Sequence, residues 1–200
     1  MACVTPSLHR ARVQATLITV LDHVWPACAE RYAYRLVGTA AAVLHGVDLP
    51  TADIDILVKT PDAVDAFGAA LAPCPCLSAP AWLPAARQYY GSYDVHGVTV
   101  EFSTVNIASD EDTRETFGRG PWERYVALPC GPYTVPTVAL ELRLITELLR
   151  DRADRYAPIL RALSARGCDR GFMRRAMAAV GLPPEVRQRV LDELQGPPTG

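Results

Sequence analysis

Residues 36–58 read LVGTAAAVLHGVDLPTADIDILV. An apolar run stops at Gly38-Thr39, a small-residue helical pattern follows as far as Gly46, and a strand pattern carries Asp53 and Asp55. Alternation along a strand sends Asp53 and Asp55 to one face and Ile54, Ile56 and Val58 to the other. Two carboxylates that close repel and raise each other's pKa unless a cation lies between them. A divalent metal held by oxygen ligands accounts for such a pair economically. The plain alternative is a strand edge with two solvated acids. Strands disfavour Asp, so two on one face of an otherwise Ile, Leu and Val strand favour function. A Gly at a strand-to-helix turn lets backbone N–H groups approach a phosphate, and the positive end of the helix adds to the attraction. The Thr39 hydroxyl can supply one more hydrogen bond.

On either side of this stretch the pattern is mixed. Residues 7–29 read as an amphipathic helix with Ser7 as N-cap and Pro26 as terminator or kink. Residues 34–37 read as a short buried strand. Pro61 starts a helix at its first position. Residues 73–86 are rich in Pro and read as an irregular connector. Two strand-like runs, 88–95 and 98–103, flank His96-Gly97 and predict a hairpin in which Val95 pairs with Val98 and Asp94 with Thr99. Thr99, Glu101 and Ser103 then share a polar face. Glu101 becomes a third candidate acid, and Asp94 its competitor on the same face. Residues 106–120 look like a loop or frayed helix, and 125–128 and 133–135 like short strands. Helices are expected over 137–150, 152–165, 169–180 and 184–194, with a disordered tail at 196–200. The plan is an α+β chain: an α/β core over 1–135, with helices on one face of a mixed sheet, and a helical subdomain over 136–195.

Composition narrows the class. The chain has 200 residues, half of them hydrophobic, and a net charge of −2. That supports one core and argues against global nucleic-acid affinity. Residues 150–189 hold ten Arg against four acids. Solvated helix faces explain this most simply, and a positive wall for a polyanionic substrate is the sharper reading. The six Cys lack zinc-site spacing, no leader opens the chain, and no apolar stretch nears the ~20 residues of a membrane span. The expectation is a cytoplasmic protein with free thiols and no membrane partner.

The pattern hydrophobic-Gly38-Thr39, thirteen residues, then Asp53-Ile54-Asp55-Ile56 and later Val100-Glu101-Phe102 resembles the DNA polymerase β-like nucleotidyltransferase superfamily. Residues 42–46 and 50–58 resemble its small bacterial branch of toxin-type and antibiotic-modifying enzymes. The likeness is strong over 34–60, moderate over 95–103 and weak over 137–160, where Arg143 and Arg150 stand at helical Lys positions. Arg keeps the charge but not the contacts of an ammonium. Thr39 stands where the family has Gly or Ser, and Leu49 where many relatives carry Arg.

The resemblance implies a palm-like core that transfers a nucleoside monophosphate from an NTP, such as ATP, to a hydroxyl of an RNA end, a protein or a small molecule such as an antibiotic. It implies two Mg²⁺ ions, with Mn²⁺ as a substitute, on Asp53, Asp55 and Glu101, with Glu101 as third ligand or general base. It implies nucleotide contacts by Gly38, Thr39, Thr51, Arg143 and Arg150, and an antitoxin or a second copy of the chain as a partner. A nucleotide-binding or regulatory module with weak turnover is the competing function. Several residues also have simpler readings. Thr51 suits a turn, His45 a helix-end cap, Lys59 a solvated strand end, and Arg143 and Arg150 an exposed helix face.

Overall fold

The computed structural model of the chain describes residues 7–29 and 31–195. Helix α1 (Ser7–Val24) passes into a short π-helical turn, Trp25–Ala29, where Pro26 interrupts the α pattern. Ser7, expected as the N-cap, is the first described residue and lies within the helix. Strand β1 (Tyr34–Val37) runs straight into helix α2 (Gly38–Leu44). Strand β2 (Asp53–Val58) precedes helix α3 (Pro61–Ala70), whose N-cap Thr60 accepts a hydrogen bond from the Ala63 amide.

Strands β3 (Cys76–Leu83), β4 (Gln88–Val95) and β5 (Val98–Thr104) form a meander. A one-turn helix, α4 (Gly120–Glu123), leads to the hairpin β6 (Tyr125–Cys130) and β7 (Tyr133–Val138). Four helices follow: α5 (Leu140–Leu149), α6 (Ala153–Arg166), α7 (Arg170–Ala179) and α8 (Pro184–Glu193).

The seven strands make one mixed sheet in the order β3-β4-β5-β2-β1-β7-β6. β2 lies between antiparallel β1 and parallel β5, so the strand that bears Asp53 and Asp55 is central. Its opposite face supplies Ile54, Ile56 and Val58 to the core. There the Phe67 ring of α3 meets Phe102 of β5 edge-on at 5.1 Å and Tyr34 of β1 at 6.0 Å. Buried residues of α5, α6, α7 and α8 belong to the same apolar cluster as those of the sheet. β7 runs through Val138, three residues beyond the short strand expected over 133–135, and the expected tail at 196–200 lies outside the described residues.

One reading is corrected. The stretch 73–86 is not an irregular connector: β3 occupies most of it as the outermost strand. Its pairing to β4 slips twice, between Cys76 and Ser78 and between Ser78 and Ala81. An edge strand needs N–H partners on one side only, so Pro80 is accommodated where a central strand would reject it. Leu77 and Trp82 are exposed, so no apolar alternation announced the strand. Residues 105–119 are irregular as expected, apart from a bridge between Ile107 and Phe117. Among the described residues no helix is long and apolar enough to cross a membrane. The five described cysteines, at 28, 74, 76, 130 and 168, are free thiols.

Candidate active site

A cavity of about 450 Å³ opens on the polar face of β2 and β5. Asp53, Asp55 and Glu101 all line it. In the parallel β2–β5 ladder Asp55 stands directly across from Glu101, and Asp53 across from Thr99. The hairpin register holds as well, with Asp94 opposite Thr99 and Val95 opposite Val98. The Asp55 carboxyl is pushed up to about 7, first by burial and then by the charges of Asp53, Glu101 and Glu115, with Arg143 pulling the other way. Desolvated oxygens crowded by like charges are the donor chemistry that a hard divalent cation neutralises. The acids share a wall without closing a cage: among the described residues no three His, Cys, Asp or Glu side chains stand close enough to hold one ion.

Gly38 forms the corner of the cavity at φ +68. A Cβ there would strike the Asp55 carboxylate, falling 3.0 Å from its Cγ, so the turn and the acid approach only because the residue is Gly. Thr39 is buried at the start of α2, and its hydroxyl accepts a hydrogen bond from Arg155 of α6. Arg150, at the end of α5, is exposed and also lines the cavity. Arg155 therefore reaches the Gly38-Thr39 turn from the helical side, and Arg150 shares the cavity with it.

Glu115 escaped the sequence reading. It comes from the irregular 105–119 segment and is 2% exposed. One oxygen accepts from the Gly38 amide at 3.4 Å, and the other pairs with Arg143 of α5. Arg143, 3% exposed, also pairs with Glu147 one turn along α5. The guanidinium expected to face nucleotide is thus held between two buried carboxylates, although it still lines the cavity. Polar loops have no periodicity, so only the acid's position three residues after Asp112 marks Glu115 in the sequence, and that is no signal. Arg155, five residues past Arg150 and in the next helix, was also missed, because the arginine-rich helices offered no means of choosing among their members. Tyr90 and Asn106 also line the cavity.

The remaining candidates resolve simply. The Thr51 hydroxyl donates to the Asp53 carbonyl at 2.9 Å, a strand-start contact, while its side chain still borders the cavity. His45 Nε2 lies 2.9 Å from the Val138 carbonyl and ties α2 to β7, and burial pushes its pKa down. Lys59 sits over the Trp122 ring at 5.2 Å. Asp94 accepts from the Gly97 amide at 2.6 Å and closes the hairpin turn. Asp94→Ala should therefore cost roughly 1 kcal/mol of stability and leave site chemistry intact, whereas Glu101→Ala should leave the fold and remove the chemistry. Chemical denaturation and a transfer assay on the two variants check this, and reversed effects would assign the role to Asp94.

The chain matches no protein-family model and no curated protein. Solved structures do match. A candidate nucleotidyltransferase from Thermotoga maritima superposes with a TM-score of 0.58 at 16% identity, over 80% of this chain and 97% of the other. The antibiotic-resistance factor ANT(2'')-Ia superposes with a TM-score of 0.52 at 12% identity, over 90% of this chain and 96% of the other. The fold is nucleotidyltransferase-like. In this fold the acidic wall of β2 and β5, the Gly38 corner and the two helical arginines enclose a single cavity. At these identities the likeness concerns architecture, and the chemistry has to be argued from the residues.

Proposed function

We propose that the protein transfers a nucleoside monophosphate from an NTP to a hydroxyl acceptor. The observation that carries the reading is the meeting, in one cavity, of Asp53, Asp55 and Glu101 with the Gly38-Thr39 corner and with Arg150 and Arg155. Carboxylates for cations beside donors for phosphate oxygens are the parts that phosphoryl-group transfer needs. Asp53 and Asp55 would hold Mg²⁺ together with phosphate oxygens and water, and the ion when bound neutralises phosphate charge and makes an acceptor hydroxyl more acidic. Arg150 and Arg155 neutralise the phosphate tail, and the Thr39 hydroxyl orients it. Glu101 takes the acceptor proton as the acceptor oxygen bonds to the α-phosphorus and the bond to pyrophosphate breaks. Tyr90 and Asn106, which line the same cavity, would meet the acceptor. Cytoplasmic placement, and an antitoxin or homodimer partner, belong to the same proposal.

The competing reading, a nucleotide-binding module with weak turnover, gains from one observation: Glu115 occupies the Gly38 amide. Labelled NTPs with Mg²⁺ or Mn²⁺, offered with tRNA, protein extract and aminoglycoside-like acceptors, separate the two. Transfer by the wild type and none by Asp53→Ala supports the enzyme. Mg²⁺-dependent binding of a nonhydrolysable NTP without any transfer supports the module.

A further inference from the structure

Glu115 is a buried acid in contact with the two kinds of donor that recognise phosphate, a backbone N–H and an arginine. We propose that Glu115 is a resident anion that fills one phosphate position of the cavity, so that a ligand must displace it and only a polyphosphate gains enough to do so. The inference rests on the nucleotidyl-transfer reading for the identity of the incoming anion.

Charge accounting supports displacement. Arg143 carries one positive charge and has two buried carboxylate partners, Glu115 and Glu147. The group bears an excess negative charge beside Asp55, whose proton affinity both Glu115 and Arg143 influence. When Glu115 leaves, Glu147 still neutralises Arg143, so neither buried charge is orphaned.

The segment that carries Glu115 is moored by other residues than Glu115 itself. Asp112 pairs with Arg175 of α7 at 2.9 Å and with Arg124 at 3.8 Å, and the Asn106 amide donates to the Thr116 carbonyl at 2.9 Å. These moorings hold the segment over the cavity without involving the Glu115 carboxylate.

Selectivity follows. Inorganic phosphate would gain little more than the contacts that Glu115 surrenders. A triphosphate or pyrophosphate also reaches Arg150 and Arg155, which Glu115 does not touch. Glu115 is in this sense a specificity-determining residue of the same cavity.

Calorimetric titration of the wild type, Glu115→Gln and Glu115→Ala with inorganic phosphate, pyrophosphate and a nonhydrolysable ATP analogue tests the idea. Removing the resident charge should tighten phosphate and pyrophosphate binding by roughly tenfold or more, the worth of one charge-assisted contact. The gain should be larger for phosphate than for the triphosphate. A folded Glu115→Gln that binds both anions no tighter than the wild type overturns the proposal and makes Glu115 a structural strut, as does the absence of anion binding in every variant. Where the variants do not fold, hydrogen exchange on the wild type decides. Amides of residues 114–118 must lose protection when pyrophosphate and Mg²⁺ are added, and unchanged protection overturns the proposal. Tightened pyrophosphate binding without any nucleotide transfer would leave the resident anion standing and refute only the enzymatic reading.

Discussion

Asp55→Asn is expected to stabilise the metal-free protein and to abolish its chemistry. The Asp55 carboxyl titrates near 7 in the folded chain, against an ordinary value near 4. A raised folded-state pKa means that the native state holds its proton more tightly than the unfolded state does. Ionised Asp55 is therefore a destabilising charge at pH 8, and the penalty fades as pH falls from about 7 towards about 4. A shift of this size sets a ceiling of about 4 kcal/mol, and a carboxylate that keeps some exposure on the cavity wall should realise roughly half of it. In EDTA at pH 8 the Asn variant should melt roughly 4–8 °C above the wild type. The wild type should gain stability between pH 8 and pH 5, and the variant should gain less. Nucleotidyl transfer should drop roughly a thousandfold, as expected for a group whose charge is needed only in the reaction. Thermal melts in EDTA across pH, beside the transfer assay, test both halves. A variant that melts below the wild type while retaining transfer would remove Asp55 from the site.

Gly38→Ala should damage the fold and the site together. At φ +68 an L side chain costs about 1–2 kcal/mol in backbone strain alone. The new Cβ also drives into the Asp55 carboxylate, so one of the two must move. The combined loss is expected to be about 3 kcal/mol, together with loss of transfer, because the displaced group is a site acid. The double variant Gly38→Ala/Asp55→Ala isolates the collision. With the carboxylate gone, only the φ cost should persist, giving an interaction energy of about 1–2 kcal/mol in the cycle. Strict additivity in urea denaturation would mean that the turn and the acid are not in contact.

The parts of the fold that could be read from the sequence were those in which chemistry and periodicity coincide. Asp53 and Asp55 alternate with Ile54 and Ile56, so both the strand and its two faces were written in the residue order. His96-Gly97 set the hairpin register, and that register carried Glu101 onto the acidic wall opposite Asp55. Strand β3 was illegible because its outward residues are as apolar as its inward ones and Pro80 argues against a ladder. The Glu115–Arg143–Glu147 group was illegible for a different reason. Arg143 and Glu147 are an ordinary i, i+4 helix pair, which sequence reasoning assigns to a solvated surface. Only tertiary packing buries that pair and brings Glu115 to it from 28 residues away. Thr51 keeps both of its readings: its hydroxyl donates to the Asp53 carbonyl where β2 starts, and its side chain borders the cavity.

The outer flank of the sheet shapes how these molecules behave in a crowd. β3 ends the sheet on that side with a proline, two slips of register and a pyrrolidine ring that rests over Gly91. A neighbouring molecule seeking to extend the ladder would find a template with missing donors and a broken repeat. The stretch that looks least like a strand on paper therefore makes this flank a poor template for edge-to-edge pairing between molecules.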